Sequence, residues 1–166
     1  SGDAGTEKIW FELNEKLPAT EFLGYNTLKT EAQVTALVQD GKEVSEVSNG
    51  EFFLLTNQTP FYGEMGGQVG DKGKITGKDL EIGVTDTKKK LDGLYVHIAK
   101  IVKGRIKNGD IVLMEVCESN RKAIEANHTV THLLHHALQE KFGASVTQKG
   151  SMVAAERMRF DIAYPK

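Results

Sequence analysis

The stretch AQVTALVQDGKEVSEV, residues 32–47, decides how the first two thirds of the chain are interpreted. Apolar-rich runs lie on either side of Asp40-Gly41, a pair whose residues both tolerate positive φ, and this pattern predicts a β-hairpin. Further strand-like runs follow it: GEFFLLT (50–56), KDLEIGVTDT (78–87), GLYVHIAKIV (93–102) and DIVLMEV (110–116). Asp92-Gly93 and Asn108-Gly109 supply further turns. Many short strands joined by tight turns predict a small antiparallel β-barrel or sandwich.

A helical pattern replaces the strand pattern from about Ser119, which is a plausible N-cap. The periodicity runs from Arg121 to Phe142 and ends at Gly143 in the C-cap position. At 100° per residue, one broad apolar face is formed by Ala123, Ala126, Val130, Leu133, Leu134, Ala137 and Leu138. One or two more strands are predicted within residues 145–165. The predicted fold class is therefore α+β, mostly β: a barrel followed by the start of an α+β unit with one long helix.

The predicted helix carries NHTVTHLLHHAL, residues 127–138, which holds four of the five histidines. His128 and His132 are four residues apart, so they project from one helical face, the spacing by which a helix supplies two imidazoles to one zinc ion. No glutamate lies between them, so the metalloprotease signature is absent. The alternative, a solvated helix face, carries about equal weight on spacing alone. His135 and His136 stay unassigned.

A zinc site normally takes three or four protein ligands, and the other candidates are poorly placed. Cys117 lies some three turns before His128, too far along a straight helix to reach it. His97 lies in a predicted strand and could join only by folding over. The sequence therefore predicts half of a metal site.

The stretch TPFYGEMGGQVGDKGKI, residues 59–75, contains five glycines and lacks the Gly-Lys-Ser/Thr ending of an ATP-binding P-loop. A compact loop with close backbone approach at Gly66 and Gly67 is the favoured interpretation, and a loop covering a substrate terminus is the alternative. Further along, the amide of Gln148 suits the orientation of a small polar group or a water. Candidate phosphate contacts, for which ordinary solvation is the commoner role, are Lys149, Arg157 and Arg159.

Composition limits the function classes. The chain has 166 residues, a net charge of -2 and one cysteine, which excludes an internal disulfide and suits a reducing cytoplasm. The charge gives no overall attraction for nucleic acid, so contact with it needs a local basic patch. No apolar run approaches the roughly 20 residues that span a bilayer. We expect a cytoplasmic protein with neither membrane nor DNA as a partner.

Four stretches resemble the alanyl-tRNA synthetase family, in the region that edits mischarged tRNA. They occur in the family's order: TEFLGYNTLKTEAQV (20–34), TPFYGEMGGQVGDKG (59–73), NHTVTHLLHHAL (127–138) and QKGSMVAAERMRFD (148–161). The resemblance implies a translation-factor-like β-barrel leading into the editing core that alanyl- and threonyl-tRNA synthetases share. It also implies hydrolysis of seryl- and glycyl-tRNA-Ala, because a pocket sized for alanine rejects these amino acids weakly.

The resemblance also implies roles for individual residues. His128 and His132 match the first two zinc ligands, Gln148 matches a residue of the amino-acid pocket, and Gly66 and Gly67 match the glycine-rich element beside it. The family's other two ligands come from a later Cys-x-x-x-His segment, and no cysteine or histidine follows His136 here. We therefore expect a truncated editing region, with zinc as a half-site and ATP used only by an aminoacylation domain outside the chain.

The expected organisation has three parts: an N-terminal segment partly of expression origin (1–20), the barrel (21–116) and the first part of the editing core (117–166). For the parent protein the expected activity is ligation of alanine to tRNA-Ala with proofreading. Water is the expected nucleophile, because no Ser, Cys or Lys with an adjacent base is evident. The fragment itself is expected to be inactive. The alternatives are a fragment of a free-standing trans-editing deacylase and a non-catalytic tRNA-binding module.

Overall fold

The computed structural model describes residues 4–64, 69–91, 93–142, 147–153 and 158–163, with residues 4–6, 124, 127, 128, 131 and 141–163 described by their backbone. The chain divides into two compact units, Ser1–Glu64 with Gly70–Cys117, and Met65–Val69 with Glu118–Lys166. The elements of the first unit are α1 (Ala4–Lys16), β1 (Glu21–Phe22), β2 (Lys29–Gln39), β3 (Lys42–Val44), β4 (Glu46–Val47), β5 (Glu51–Thr56), β6 (Gln58–Thr59), β7 (Gly73–Gly77), β8 (Leu80–Lys90), β9 (Leu94–Lys103), β10 (Ile106–Lys107) and β11 (Ile111–Val116). Those of the second are α2 (Glu118–Phe142), β12 (Thr147–Val153) and β13 (Met158–Ala163).

The hairpin predicted at Asp40-Gly41 is confirmed. Strands β2 and β3 pair antiparallel with Gln39 opposite Lys42, so the turn has two residues. Both residues have positive φ, 54° at Asp40 and 77° at Gly41. These dihedrals match the right-handed twist of the flanking strands, which is why this dipeptide sets the register of the hairpin.

Six strands close into an antiparallel barrel, in the order β2, β5, β9, β8, β7, β11 and back to β2. The long strand β2 makes the closure possible because its two halves have different partners. Residues 29–33 pair with β11, whereas residues 34–38 pair with β5. The register shifts between Val34 and Ala36, and such an irregularity bends a strand and increases its twist. Of the two predicted architectures, barrel or sandwich, the structure has the barrel.

Two apolar clusters stabilise this unit, one on each face of β2 and β5. The first includes Leu37 and Leu54, and the second includes Ala36 and Leu55. Helix α1 covers the second cluster with Trp10 and Leu13, each 1% exposed. The sequence did not predict this helix within its N-terminal segment. Residues 36–38 of β2 and 54–56 of β5 are buried on both faces, whereas the first half of β2 alternates between buried and exposed residues.

The second unit contains the predicted long helix and two strands. Helix α2 begins at Glu118, so Ser119 lies in its first turn and is not the N-cap that the sequence predicted; boundaries of this kind vary by one or two residues. The predicted C-cap, Gly143, lies outside the described residues. Strands β12 and β13 pair antiparallel and confirm the prediction of strands after the helix.

Candidate functional site

Helix α2 continues without a break past the histidine-rich stretch. The backbone positions of His128 and His132 therefore lie about one turn apart on the same side of the helix. The side chain of His132 is exposed to solvent. His136 lies one turn further along the same row, and its Nε2 is 3.0 Å from Glu140 Oε1. His136 thus has an acidic neighbour on its own helix, and the assignment of His128 and His132 as metal ligands stays a prediction.

The apolar face predicted for α2 is present as a helical stripe, but its largest members are not buried. Val130 is 48% exposed, Leu133 64% and Leu134 42%. Ala126 and Ala137 are also exposed. The periodicity therefore predicted the helix correctly, while the burial that the same pattern indicated is absent at these positions.

The two predicted ligands do not belong to a complete metal-binding group in the described part of the chain. No three His, Cys, Asp or Glu side chains come together there in a way that could hold a metal ion. Cys117 is exposed and in no disulfide, and its backbone N–H donates to Lys72 O at 2.8 Å. The described side chains, which do not include that of His128, therefore form no complete metal site, and zinc at His128 and His132 stays a prediction.

His97 has a structural role in the barrel. It is fully buried, and its ring packs edge-on against Phe61 with centroids 5.4 Å apart. Nδ1 lies 2.8 Å from the carbonyl oxygen of Leu54, so Nδ1 carries the proton and donates. Nε2 then accepts from the hydroxyl of Thr59, also at 2.8 Å. Both nitrogens are occupied, and burial lowers the pKa of His97 to about 4, while the hydrogen bond to Leu54 opposes that shift.

The glycine-rich loop is held at both ends by hydrogen bonds that converge on β8. The N–H of Tyr62 donates to Asp71 Oδ2 at 2.7 Å, and the N–H of Asp71 donates to Tyr62 O at 2.9 Å. Thr87 Oγ1 donates to Asp71 O at 3.0 Å. The N–H of Glu64 donates to Thr87 O at 2.7 Å. Asp71 and Thr87 are buried, so these hydrogen bonds tie the two sides of the loop to each other and to β8, and they are called the loop base below.

Two glycines allow the loop base to lie this close to β8. A methyl group on Gly70 would collide with the carbonyl oxygen of Thr87, and one on Gly63 would crowd the backbone nitrogen of Lys89. The sequence predicted close backbone approach in this stretch but assigned it to Gly66 and Gly67, which lie outside the described residues. The approach that the structure shows belongs to the flanking glycines.

Asp86 is a second carboxylate that contacts this base, in addition to Asp71. Its Oδ1 accepts hydrogen bonds from the N–H of Thr87 at 2.8 Å and of Gly70 at 3.2 Å. Burial raises the pKa of Asp86, and nearby Glu64 raises it further, whereas the hydrogen bond from Thr87 and the charge of Lys88 lower it. The sequence offered no signal for Asp86, because a single aspartate in a strand reads as an exposed position.

The remaining predicted site residues lie in or beside the last two strands. The register places Gln148 opposite Ile162, Lys149 opposite Asp161 and Arg159 opposite Met152. Their side chains are not described. Arg157 lies outside the described residues. The roles of Gln148, Lys149, Arg157 and Arg159 therefore stay predictions.

In the part of the chain that the structure describes, neither helix combines the length and the apolarity needed to cross a membrane.

Comparison with known proteins identifies the family to which the chain is similar. The family model for class II tRNA synthetases (A) matches residues 2–120. A curated relative named alanine–tRNA ligase from Mesorhizobium japonicum is 50% identical, and one of the same name from Sinorhizobium medicae is 51% identical. Each alignment covers 100% of this chain and 19% of the relative, so the chain spans about a fifth of the length of these relatives.

Proposed function

This chain belongs to the class II tRNA synthetase (A) family, and on that premise we propose that it is part of the editing region of an alanine–tRNA ligase. The observation that carries the proposal is the identity of 50–51% with alanine–tRNA ligases along the whole chain. For the parent protein we propose ATP-dependent ligation of alanine to tRNA-Ala. ATP binding belongs to the part of the protein outside this chain.

The proposed reaction of the editing region is hydrolysis of Ser-tRNA-Ala and Gly-tRNA-Ala. Water attacks the ester carbonyl carbon, the bond to the ribose oxygen breaks, and the products are the free amino acid and uncharged tRNA. A second site of this kind is needed because an alanine pocket discriminates weakly against one missing methyl group or one added hydroxyl.

We assign Gln148 to the amino-acid moiety, because its amide can donate to one oxygen and accept from a hydroxyl or an ammonium group. Gly66 and Gly67 would let the backbone approach the aminoacyl end closely. The hydrogen bonds between Tyr62 and Asp71, which flank this segment in the sequence, support the assignment. Lys149, Arg157 and Arg159 are the proposed phosphate contacts.

We also propose His128 and His132 as two ligands of a zinc ion. Their spacing on an unbroken helix and the exposure of His132 support this assignment. A complete site requires at least one more protein ligand, and the described residues provide no group of three. We therefore assign no step of the hydrolysis to the metal.

A non-catalytic tRNA-binding module is the second candidate, and it is favoured by the finding that no three metal-ligating side chains come together among the described residues. A free-standing trans-editing deacylase would use the same residues. It differs from the first proposal only in lacking the aminoacylation domain.

The test is deacylation of radiolabelled Ser-tRNA-Ala by the full-length ligase. His132→Ala and Gln148→Ala should each lower the rate by about tenfold or more, the usual scale for loss of a ligand or substrate-contacting group. His136→Ala is the matched control, since His136 lies on the same helix and pairs with Glu140. Metal content measured on the same proteins should fall in His132→Ala and stay unchanged in Gln148→Ala.

The outcomes separate the proposals. Wild-type rates in both variants would contradict the editing function. Wild-type metal content in His132→Ala would contradict the ligand assignment alone. Binding of tRNA without hydrolysis by the full-length protein would favour the tRNA-binding module.

A further inference from the structure

Four aromatic rings meet on the surface of the barrel unit beside the loop base. Phe22 lies at their centre. It stacks on Tyr95 with an interplanar angle of 3° and centroids 5.6 Å apart. It also makes edge contacts with Tyr25 at 4.9 Å and with Tyr62 at 6.1 Å. Phe22, Tyr25, Tyr62 and Tyr95 are called the aromatic cluster below.

Tyr25 is the member that presents its ring to solvent. It is 85% exposed, whereas Tyr95 is 9% exposed. The turn that carries it is closed by hydrogen bonds from Asn26 N–H and Thr27 N–H to Leu23 O, at 3.1 and 3.2 Å. Tyr25 is therefore a large planar side chain on a turn that is already closed. The turn does not have to become ordered when a flat ligand stacks on the ring, which reduces the entropic cost of binding.

Gly24 ties this turn to the barrel. Any side chain at Gly24 would collide with the Phe22 ring and with the carbonyl oxygen of Pro60. Close packing at this glycine fixes the turn beside the segment that leads into the glycine-rich loop. The position of Tyr25 is thus set by backbone contacts on both sides.

Positive charge lies next to the aromatic cluster. Lys89 pairs with Tyr95 across the β8–β9 hairpin, and its Nζ lies 5.8 Å from the centre of the Tyr95 ring. Lys88 and Lys90, its neighbours along β8, point to the opposite face of the strand and pair with Glu64 and Glu7, at 3.6 and 3.8 Å. Lys89 is therefore the lysine of this run that shares a face with Tyr95.

The aromatic rings together with the neighbouring lysine favour one kind of ligand, an unpaired nucleotide. Exposed aromatic rings with adjacent cations are the surface on which unpaired nucleotides stack, since every base has a flat face and every linkage carries a charge. A regular duplex keeps its bases stacked on one another and cannot offer a face to Tyr25 except at its end. Lys89 also supplies a local positive charge for nucleic-acid contact on a chain whose net charge is -2.

We propose that the aromatic cluster with Lys89 is a stacking site for unpaired nucleotides of tRNA, with Tyr25 as the residue that contacts a base. The choice of tRNA rests on the proposed function. The site lies beside the loop base, because Gly63 packs against both Lys89 and the Tyr95 ring.

The test is fluorescence anisotropy of the 166-residue chain with a labelled, unstructured 12-nucleotide RNA. A blunt RNA duplex of the same length serves as the second probe. The single strand should bind more tightly than the duplex. Tyr25→Ala should weaken single-strand binding by about fivefold or more, the usual effect of removing one stacked aromatic, and Tyr25→Phe should retain it. Lys89→Ala should lower the salt dependence by about 0.7 in log–log slope, one phosphate contact on a single strand.

Two matched controls identify the surface. Phe11→Ala removes another exposed aromatic side chain, 57% exposed on α1, and should leave binding unchanged. Lys107→Ala removes an exposed lysine from β10 and should do the same. Thermal unfolding of each variant shows that the barrel is intact, as expected for Tyr25 with so little of its surface buried.

Three results would overturn the inference: no binding of the single strand, equal binding of the duplex, or equal loss in Tyr25→Ala and Phe11→Ala. None of them bears on the editing reaction, which is measured by deacylation in the His132 and Gln148 variants. Conversely, loss of RNA binding in Tyr25→Ala together with wild-type deacylation in His132→Ala and Gln148→Ala would support the stacking site and contradict the editing proposal.

Discussion

His97 in the barrel and His132 on α2 show how one residue type serves two purposes. His97 is fully buried, neutral, and hydrogen-bonded at both ring nitrogens to groups of its own unit. His132 is exposed on the side of a helix, one turn from another histidine. An imidazole in the first setting can bind neither a metal nor a proton without breaking the barrel's hydrogen bonds. The exposed imidazole of His132 can contact a ligand without disrupting a hydrophobic core.

The same contrast holds for leucines and gives the largest expected effect. Leu54 is 0% exposed inside the barrel, whereas Leu133 is 64% exposed on α2. Leu54→Ala should lower the free energy of unfolding by about 2–5 kcal/mol, the range for buried leucine truncation. Leu133→Ala should change it by less than about 0.5 kcal/mol. Urea denaturation followed by the fluorescence of Trp10, the only tryptophan, reports on the barrel.

A large loss in Leu133→Ala would show that this part of α2 is buried in solution. To detect effects confined to the second unit, far-UV circular dichroism of the helix should be recorded on the same samples. A barrel that tolerates Leu54→Ala would contradict the closed packing described above.

The second prediction concerns pH and His97. Its folded pKa of about 4 lies below the ordinary 6.5, so the unfolded chain takes up a proton first as pH falls. The stability of the barrel should therefore be greatest above about pH 6.5 and decrease toward pH 4, by an amount on the order of 3 kcal/mol. Denaturation curves at several pH values measure this slope through the Trp10 signal.

His97→Gln is the informative variant because glutamine keeps one donor and one acceptor but binds no proton in this range. It should remove the extra slope between pH 6.5 and 4, leaving only the contribution of the carboxylates. His132→Ala is the control and should retain the wild-type slope. An unchanged slope in His97→Gln would mean that groups other than His97 govern the acid sensitivity of the barrel.

Sequence patterns predicted the barrel well because its signals are local. The Asp40-Gly41 turn and the apolar runs each specify a strand or a reversal without reference to the rest of the chain. The closure through β2 was not predictable to the same degree, since it depends on a register shift between Val34 and Ala36 and on two different partner strands. Helix α1 was not predicted because it buries few residues. Trp10 and Leu13 pack on the outer face of the sheet, and that contact cannot be recognised from the local sequence.

The candidate site was less predictable, for a related reason. The spacing of His128 and His132 is local, and the continuous helix preserves it. The loop base instead joins Tyr62 and Asp71, from the two sides of the glycine-rich stretch, to Thr87 of β8, and no spacing in the sequence indicated that contact. The aromatic cluster likewise combines residues that are far apart in the chain and meet only when β1 and the β8–β9 hairpin are in place.

The smallest effect is expected at Asp86, where the loop base meets a carboxylate. The raised pKa of Asp86 means that the folded protein binds its proton more readily than the unfolded chain does. Its ionised form therefore opposes folding at neutral pH, and this cost disappears as pH falls through the folded pKa. Asp86→Asn keeps the acceptor for Thr87 and Gly70 and removes the charge. It should stabilise the barrel at pH 7, by less than about 1 kcal/mol because the group is only partly buried.

The matched control is Asp40→Asn, at an exposed turn position with a φ of 54° that asparagine also tolerates. It should leave the pH dependence of urea midpoints unchanged. If Asp86→Asn were instead less stable than wild type at pH 7, the charge of Asp86 would be contributing to the loop base. The attraction of Lys88 would then outweigh burial and the repulsion of Glu64, the reverse of the balance that the contacts indicate.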